Sequence, residues 1–495
     1  MSANTLSDVS NPQMVLPSYP QVSAQDMRAR QELDASASAP VTLLFGMAVL
    51  WLLAWSGLHL ILIWKLLYPD FLTSWSSLTF GRLQPIANNM FTYGWASCAG
   101  MGVALWLMVR LCRVKLASPG AVMIGTIAWN SALFAGIAAI HVGAGRSLEY
   151  MELPLWSFIA MLGAFLIIGI QVVGLFFYRL EGTGFISQAY IVAGFVWMAW
   201  TLFAANLIAA MPWVHGVIIA INNAWFINGL AHYWFTALAL GTVFYLIPKV
   251  TGRPIHSYYL ANLGFWSFAF LAGWGGLQRY NGGPIPTWLI TLNIVATALM
   301  IIPVATIAVN HHFTIAGSHT MMHYSPTLRF AVTGAMAFTI SSLTAILLSM
   351  RTVAQQTGLT YVNHAQNYLV MYVFYSFVMF GAIYFILPRI VGREWVSSTF
   401  IRLHFWGVAY GMGLTILVLT IAGLFQGKDW NNPLVDNPTV AQTTLPLLRG
   451  AFIGGLLLLF GHVVFALHFL FMILRLGQIS DEPTWMAPLN TEEAH

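Results

Sequence analysis

The chain has 495 residues, of which 59% are hydrophobic and 7% charged, with a net charge of +5. A soluble globular chain carries about 25% charged residues, so this composition excludes a water-facing globular surface and points to one solvated by lipid. The cations are scattered through short connections, which excludes a nucleic-acid footprint. The cysteines, Cys98 and Cys112, suggest neither a disulfide framework nor a thiolate metal site.

Residues 1–40 are polar and lack an apolar signal-peptide core. They read as a disordered cytoplasmic tail without a cleavable leader. Apolar segments follow at 41–66, 88–112, 120–145, 153–178, 187–210, 222–247, 259–280, 286–309, 327–351, 365–387, 399–425 and 447–476. Each is of the order needed to cross a ~30 Å hydrocarbon core as a helix. The runs are long and do not alternate, so helices rather than barrel strands are indicated. No Pro/Ser-rich linker divides them. The expectation is an all-α polytopic membrane protein with one twelve-helix domain over 41–476 and a cytoplasmic tail over 477–495. With the amino terminus inside, thirteen Lys and Arg fall on the inner side and seven on the outer, which favours both termini in the cytoplasm. Ile247-Pro248-Lys249 and Leu387-Pro388-Arg389 each end a segment. They read as the breaker-plus-cation signal of an inner helix end rather than as an internal repeat.

Thr79-Phe80-Gly81-Arg82-Leu83-Gln84-Pro85, Glu149-Tyr150-Met151-Glu152-Leu153 and Tyr245-Leu246-Ile247-Pro248-Lys249 come in order along the chain. Gly252-Arg253-Pro254, Ser257-Tyr258, Phe265-Trp266, Tyr384-Phe385-Ile386-Leu387-Pro388-Arg389 and His404-Phe405-Trp406 complete the set. Together they resemble subunit I of the cbb3-type cytochrome c oxidases, the C branch of the haem-copper oxidases. The resemblance runs from about residue 41 to 425 and implies a twelve-helix subunit I-like bundle. It also implies a haem facing copper, a second low-spin haem, and six histidine ligands. At the helix-two haem position stands Ala87. The first copper position holds Asn228, the adjacent copper pair is Gln278 and Arg279, and the helix-ten pair is Gln366 and Tyr368. A glutamate of helix nine is replaced by Thr344. Ala cannot ligate, and Arg279 is a fixed cation. On this register the former metal cavity is Ala87, Asn228, Gln278, Arg279, Gln366 and Tyr368, and no catalytic residue is assigned. Arg279 is expected to bond Asn228, Gln278 and Gln366 there or to open to water at the outer end. The alternative is that helix seven ends early and Arg279 reaches the outer interface.

Cofactors are therefore not expected. Haem b would need relocated ligands, for which His232 and His364 are the candidates, and copper lacks the family's ligand set. His319, Met321, Met322 and His323, close to His311 and His312, pair imidazole with soft thioether donors suited to Cu(I). The plainer reading is a polar loop beside a gap-filling Met patch. His59, His141, His215, His462 and His468 fall singly in or beside segments, where an ionisable residue is a functional hypothesis by default and polar packing the plainer account. His404 matches a family residue that is not a ligand. Glu149 and Glu152 match an acidic segment that in the family lies near haem propionates and a calcium ion.

The leading reading is a non-catalytic relative of oxidase subunit I, a subunit or scaffold of a respiratory-type complex in a bacterial inner membrane. Its partners would be the lipid bilayer and other respiratory membrane subunits or cytochrome c-type subunits. The alternatives are a haem-binding redox subunit using relocated histidines, and a transporter or metal-handling protein using the former metal cavity.

Overall fold

The computed structural model describes residues 24–180, 182 and 184–480. Eleven helices among them are long and apolar enough to cross a membrane. In chain order they are α1 (Ala24–Leu67), α2 (Phe80–Cys112), α3 (Pro119–His141), α4 (Leu155–Phe177), α5 (Ile186–Ala210) and α6 (Val217–Thr251). After α7 (Tyr258–Leu271), a 14-residue helix too short to count among the eleven, come α8 (Thr287–Ile315), α9 (Pro326–Ser349), α10 (Tyr361–Val391), α11 (Ser398–Trp430) and α12 (Asn437–Ile473). The twelve segments read from the sequence are thus all present. The seventh does not run to residue 280 as a helix, because Gly273, Gly275 and Gly276 break it into 3-10 turns at Ala272–Trp274 and Leu277–Tyr280. In α8 the helix breaks at Met300, three residues before Pro303, whose ring removes a donor. Among the described residues no strand forms. One β-bridge joins Arg393 to Ile479.

The tail boundaries change. Residues 24–40 belong to α1. Their polar side chains dock on the end of α2: Asp34 takes a bidentate ion pair from Arg110 at 2.7 Å and the Trp106 indole N–H at 3.0 Å, and Ser36 accepts from the Leu116 amide at 3.1 Å. Polarity that reads as a tail is here the counterpart of a half-buried arginine. The rest of that predicted tail, residues 1–23, lies outside the described residues. At the other end Glu394 donates to the Gln478 carbonyl at 2.9 Å and Arg393 to that of Gly477 at 2.9 Å, so 477–480 are docked. Residues 481–495 lie outside the described residues. Helix starts also precede the predicted segments. Asp436 caps α12 ten residues early, its carboxylate accepting from the Thr439 amide at 3.1 Å with Pro438 in the first turn.

Three helices form the centre. The most apolar windows of α2, α6 and α10 are 89%, 78% and 78% buried, against 33–50% for the other eight. All three contain a π-helical stretch, at Met90–Ala96, Leu230–Thr236 and Leu369–Ser376. In each, a hydroxyl closes the widened turn on the carbonyl five residues back. Ser97 donates to Thr92 at 2.8 Å, Thr236 to Ala231 at 2.9 Å and Ser376 to Met371 at 3.3 Å. Taking these hydroxyls as a common zero, the helices share a register. Two residues back, Trp95 donates its indole N–H to Ser376 at 2.9 Å and Trp234 donates to Ser97 at 3.1 Å. Nine residues on, Trp106, Tyr245 and Phe385 meet edge to face with ring centroids 5.9–6.1 Å apart. Sixteen residues on, Arg113, Gly252 and Gly392 terminate the helices, all three with left-handed backbone. Contacts at two levels in equal register make the three helices parallel. The Pro248-Lys249 and Pro388-Arg389 junctions are part of this repeat, with Val109-Arg110 its third copy.

Candidate functional site

Of the residues of the expected metal cavity, Ala87, Asn228, Gln366 and Tyr368 sit just ahead of the π-helical stretches and Gln278 and Arg279 in the turn after α7, and the structure does not gather them into one polar cluster. Asn228 donates to the Ala272 carbonyl at 2.6 Å. The broken end of α7 lies directly against it: a Cβ on Gly276 would come within 2.8 Å of the Ala224 carbonyl and 2.9 Å of the Asn228 Cβ. Backbone therefore occupies the space beside Asn228. Gln278 folds back on the same turn, its side chain accepting from the Gly276 amide at 3.0 Å. Gln366 faces α9, donating to the Ser341 carbonyl at 2.8 Å and accepting from Thr344 at 2.7 Å. Arg279 is a third exposed and forms an ion pair with Glu149 at 2.8 Å. The placement of Arg279 among Asn228, Gln278 and Gln366 is thus overturned, for a physical reason: α7 ends eight residues before it, and the cation reaches Glu149 in the 142–154 loop.

Ala87 and Tyr368 do come together. They line a cavity of about 60 Å³ with Trp55, His59, Phe91 and Tyr372. Trp55 stacks on His59 with centroids 5.1 Å apart and on Tyr372 at 5.9 Å, and Tyr368 hydrogen-bonds His59 Nδ1 at 3.4 Å.

Above this cavity a larger one of about 560 Å³ opens to the outside between the 142–154 loop and the ends of α2 and α10. Arg82, Arg146, Glu149, Glu152 and His364 line it, and it shares Gln84, Asn88, Tyr150, Asn367 and Tyr368 with the small cavity. Glu152 is buried and accepts from Asn89 at 2.9 Å and Asn88 at 3.5 Å. Burial pushes its carboxyl up to about 7, against the backbone and asparagine donors that favour the anion. Burial, and then Glu149 and Glu152, push the Tyr150 phenol up.

The remaining candidates are dispersed. His232 bonds the Asn228 carbonyl at 3.1 Å and packs near Phe268, whereas His364 lines the outer cavity beside Tyr361. His319 and His323 are exposed, while Met321 and Met322 are half-buried against the main core. Among the described residues no three His, Cys, Asp or Glu side chains gather around a common point.

The family model described as Cytochrome C and Quinol oxidase polypeptide I matches residues 39–474. The chain belongs to this family. It is 24% identical over 434 residues to the cbb3-type cytochrome c oxidase subunit CcoN1 of Stutzerimonas stutzeri, covering 85% of this chain and 90% of that one. It is also 24% identical over 465 residues to the bacteroid cytochrome c oxidase subunit 1 homolog of Bradyrhizobium diazoefficiens, covering 87% and 81%. Its fold is shared with a heme-copper terminal oxidase dimer solved by cryo-EM, at a TM-score of 0.69 and 13% identity over 91% of this chain and 87% of that one. With its apolar helices, this makes it a multi-pass bacterial membrane protein of subunit I-like fold.

A haem or copper that the family implies does not fit the residues at these positions. Ala87, Asn228, Gln278, Gln366 and Tyr368 offer no imidazole, and the one cation, Arg279, lies elsewhere. A ligand of haem size needs several hundred Å³, and the cavity between Ala87 and Tyr368 has about 60 Å³. Four features of the site were not singled out from the sequence: Trp55 as the filler of that cavity, the Glu149–Arg279 pair, the seating of Glu152, and the π-helical stretches. The last had a legible signal, an aromatic two residues before a hydroxyl in Trp95-Ala96-Ser97, Trp234-Phe235-Thr236 and Phe374-Tyr375-Ser376.

Proposed function

We propose that the chain is a non-catalytic subunit of a respiratory-type membrane complex, holding partner membrane or cytochrome c-type subunits through the subunit I fold without its metal chemistry. The observation that carries this reading is the filled space at Ala87 and Tyr368, where Trp55, His59 and Tyr372 stack. A pocket emptied only by loss of ligands would stay open or wet. This one is narrowed by those rings to about 60 Å³, far short of the room a macrocycle needs. The backbone of the α7 turn against Asn228 supports it independently. Oxygen reduction, and haem binding through His232 or His364, are not part of this reading.

The test is the optical spectrum and metal content of the purified full chain. The expected result is no Soret band and sub-stoichiometric copper. A stoichiometric haem spectrum overturns the proposal. Loss of that band in His232→Ala or His364→Ala would then identify the ligand.

A further inference from the structure

The shared register of α2, α6 and α10 brings cations together at one end of the bundle. Thirteen residues past the common hydroxyls stand Arg110, Lys249 and Arg389. Each is four residues beyond a ring of the Trp106–Tyr245–Phe385 triangle, and residues four apart share a helix face. The faces that close the triangle therefore carry the three cations one turn further out. The guanidinium of Arg110 lies 5.2 Å from the Trp106 ring centroid, and that of Arg389 lies 3.6 Å from the Phe385 centroid. Arg110, Lys249 and Arg389 thus converge over the axis of the central three helices.

A fourth cation comes from outside the repeat. Arg30 on α1 stands one turn before Asp34 and lies within electrostatic reach of Lys249, as do Arg110 and Arg389. Two carboxylates share this neighbourhood, Asp34 and Glu394, which both act on Arg389. Asp34 is committed to Arg110 and the Trp106 indole. Arg30 and Lys249 have no carboxylate partner among the described residues. Four cations against two carboxylates leave an excess of two positive charges. A cation near a helix end is favoured by the last carbonyls, which accounts for one on each of the three helices. It accounts neither for their convergence on one axis nor for Arg30. Like charges so placed repel unless an anion lies among them.

The cluster is open to water. Lys249 is exposed, and Arg30, Tyr245 and Arg389 are half-buried. The Tyr245 hydroxyl makes no hydrogen bond among the described residues and keeps contact with solvent. Arg110, Arg389, Asp34 and Arg30 all reach that phenol electrostatically, so it lies in the middle of the group. The central three helices have apolar windows that are 78–89% buried. A counter-ion on their axis therefore comes from the water rather than from bulk lipid headgroups.

We propose that Arg30, Tyr245 and Lys249, in the field of Arg110 and Arg389, form a binding site for a phosphate-bearing anion from the water on this face. Phosphate fits in charge and in acceptors. The group carries about two negative charges at neutral pH, which matches the excess. Its oxygens accept from the Arg30 fork, the Lys249 ammonium and the Tyr245 hydroxyl. Arg110 and Arg389 act through their charge, since Asp34 and the Phe385 carbonyl already hold them. Free phosphate and a nucleotide offer the same group.

The inference goes beyond the proposed scaffold role and does not rest on it. The purified full chain, in neutral detergent and phosphate-free buffer, is titrated calorimetrically with inorganic phosphate, tripolyphosphate and magnesium-free ATP. Saturable binding of at least one probe is expected. Lys249→Gln and Arg30→Gln are each expected to weaken it at least about tenfold, the worth of one hydrogen bond to a charged group. Neither side chain makes a hydrogen bond among the described residues that its loss would break. Tyr245→Phe keeps the ring triangle, loses only the hydroxyl and should weaken binding less. Lys428→Gln, exposed at the opposite end of the bundle, should bind like wild type. ATP binding tighter than tripolyphosphate identifies a nucleotide as the source of the phosphate, and ATP no tighter identifies inorganic phosphate. Each variant is compared with wild type by elution profile and thermal unfolding, and either of the two cation variants carries the test if the other does not fold. No saturable binding of any probe, or a folded Lys249→Gln or Arg30→Gln variant binding like wild type, overturns the inference. So does an equal loss in Lys428→Gln. None of these results bears on haem content, which tests the scaffold reading.

Discussion

Glu152 is a carboxyl placed where charge is expensive, under the outer loop and against two asparagine amides. Burial holds it at about 7, while an ordinary glutamate titrates near 4.5. That difference corresponds to roughly 3 kcal/mol favouring the protonated folded state. Because the folded value is the higher one, this contribution is complete below pH 4.5 and is lost as pH rises through about 7. The thermal midpoint in detergent should therefore fall between about pH 5 and pH 8, and Glu152→Gln should flatten that slope. A slope unchanged by the substitution would show that Glu152 is not its source. Arg279 is the opposite case, a cation in an exposed pair that contributes at most ~1 kcal/mol. Arg279→Ala should move the midpoint little, and a large loss of stability would contradict its place at the surface. Both residues were visible in the sequence as membrane charges, but their partners were not. Glu149 and Arg279 are 130 positions apart, and His462 meets Ser56 across 406. Spacing along a chain carries no information on such encounters, which is why His462 reads as a single residue in the sequence.

At the level of helices, long apolar runs were legible to within a few residues wherever hydrophobicity itself defines the element. They were less legible where polar residues extend a helix beyond the apolar core, as in Ala24–Pro40, Phe80–Ala87 and Asn437–Pro446. The first is held by ion pairs, the last by the Asp436 cap, and Arg82 ties the second to the His141 carbonyl at 2.6 Å, none of which hydropathy registers. The end of α7 was misplaced for another reason. Trp274 offered a register count, but Gly273, Gly275 and Gly276 had already released the backbone from helical geometry. Gly276 has φ +101 and faces the Ala224 carbonyl, so a side chain there meets both a disfavoured conformation and a steric block. Gly276→Ala should cost at least about 1–3 kcal/mol. Gly57→Ala in α1, where a Cβ meets nothing within 4 Å, should be neutral or stabilise by up to about 1 kcal/mol through helix propensity. Midpoints of the two variants against wild type decide it, and equal effects would remove the case for a constrained turn at Gly276.

For the whole molecule, the structure puts both described ends on one face. The start of α1 docks on Arg110 in the last turn of α2 and on Lys115 just beyond it, and residues 477–480 dock on 392–394 beyond α10. Because α2 and α10 are parallel members of the central repeat, those two landing sites face the same way. Charge gives the expectation for which compartment that is. The connections on this face carry Arg113, Lys115, Arg253, Arg393 and Arg475, and the opposite connections carry few cations. One of those few, Arg279, is neutralised by Glu149. Translocation retains cation-rich loops in the cytoplasm, so reporters fused at the amino and carboxyl termini should both report cytoplasm. A reporter placed in the 431–436 connection between α11 and α12 should report periplasm. The short α7 makes this a strict test. If its 14 residues and following turns failed to cross, every helix after it would be inverted relative to α1–α6, and the two terminal reporters would disagree. Agreement of the termini together with the opposite signal at 431–436 requires the glycine-broken segment to traverse the bilayer, sheltered by α6 on one side and α8 on the other. A protein-lined interior is the setting in which non-helical backbone is tolerated at membrane depth.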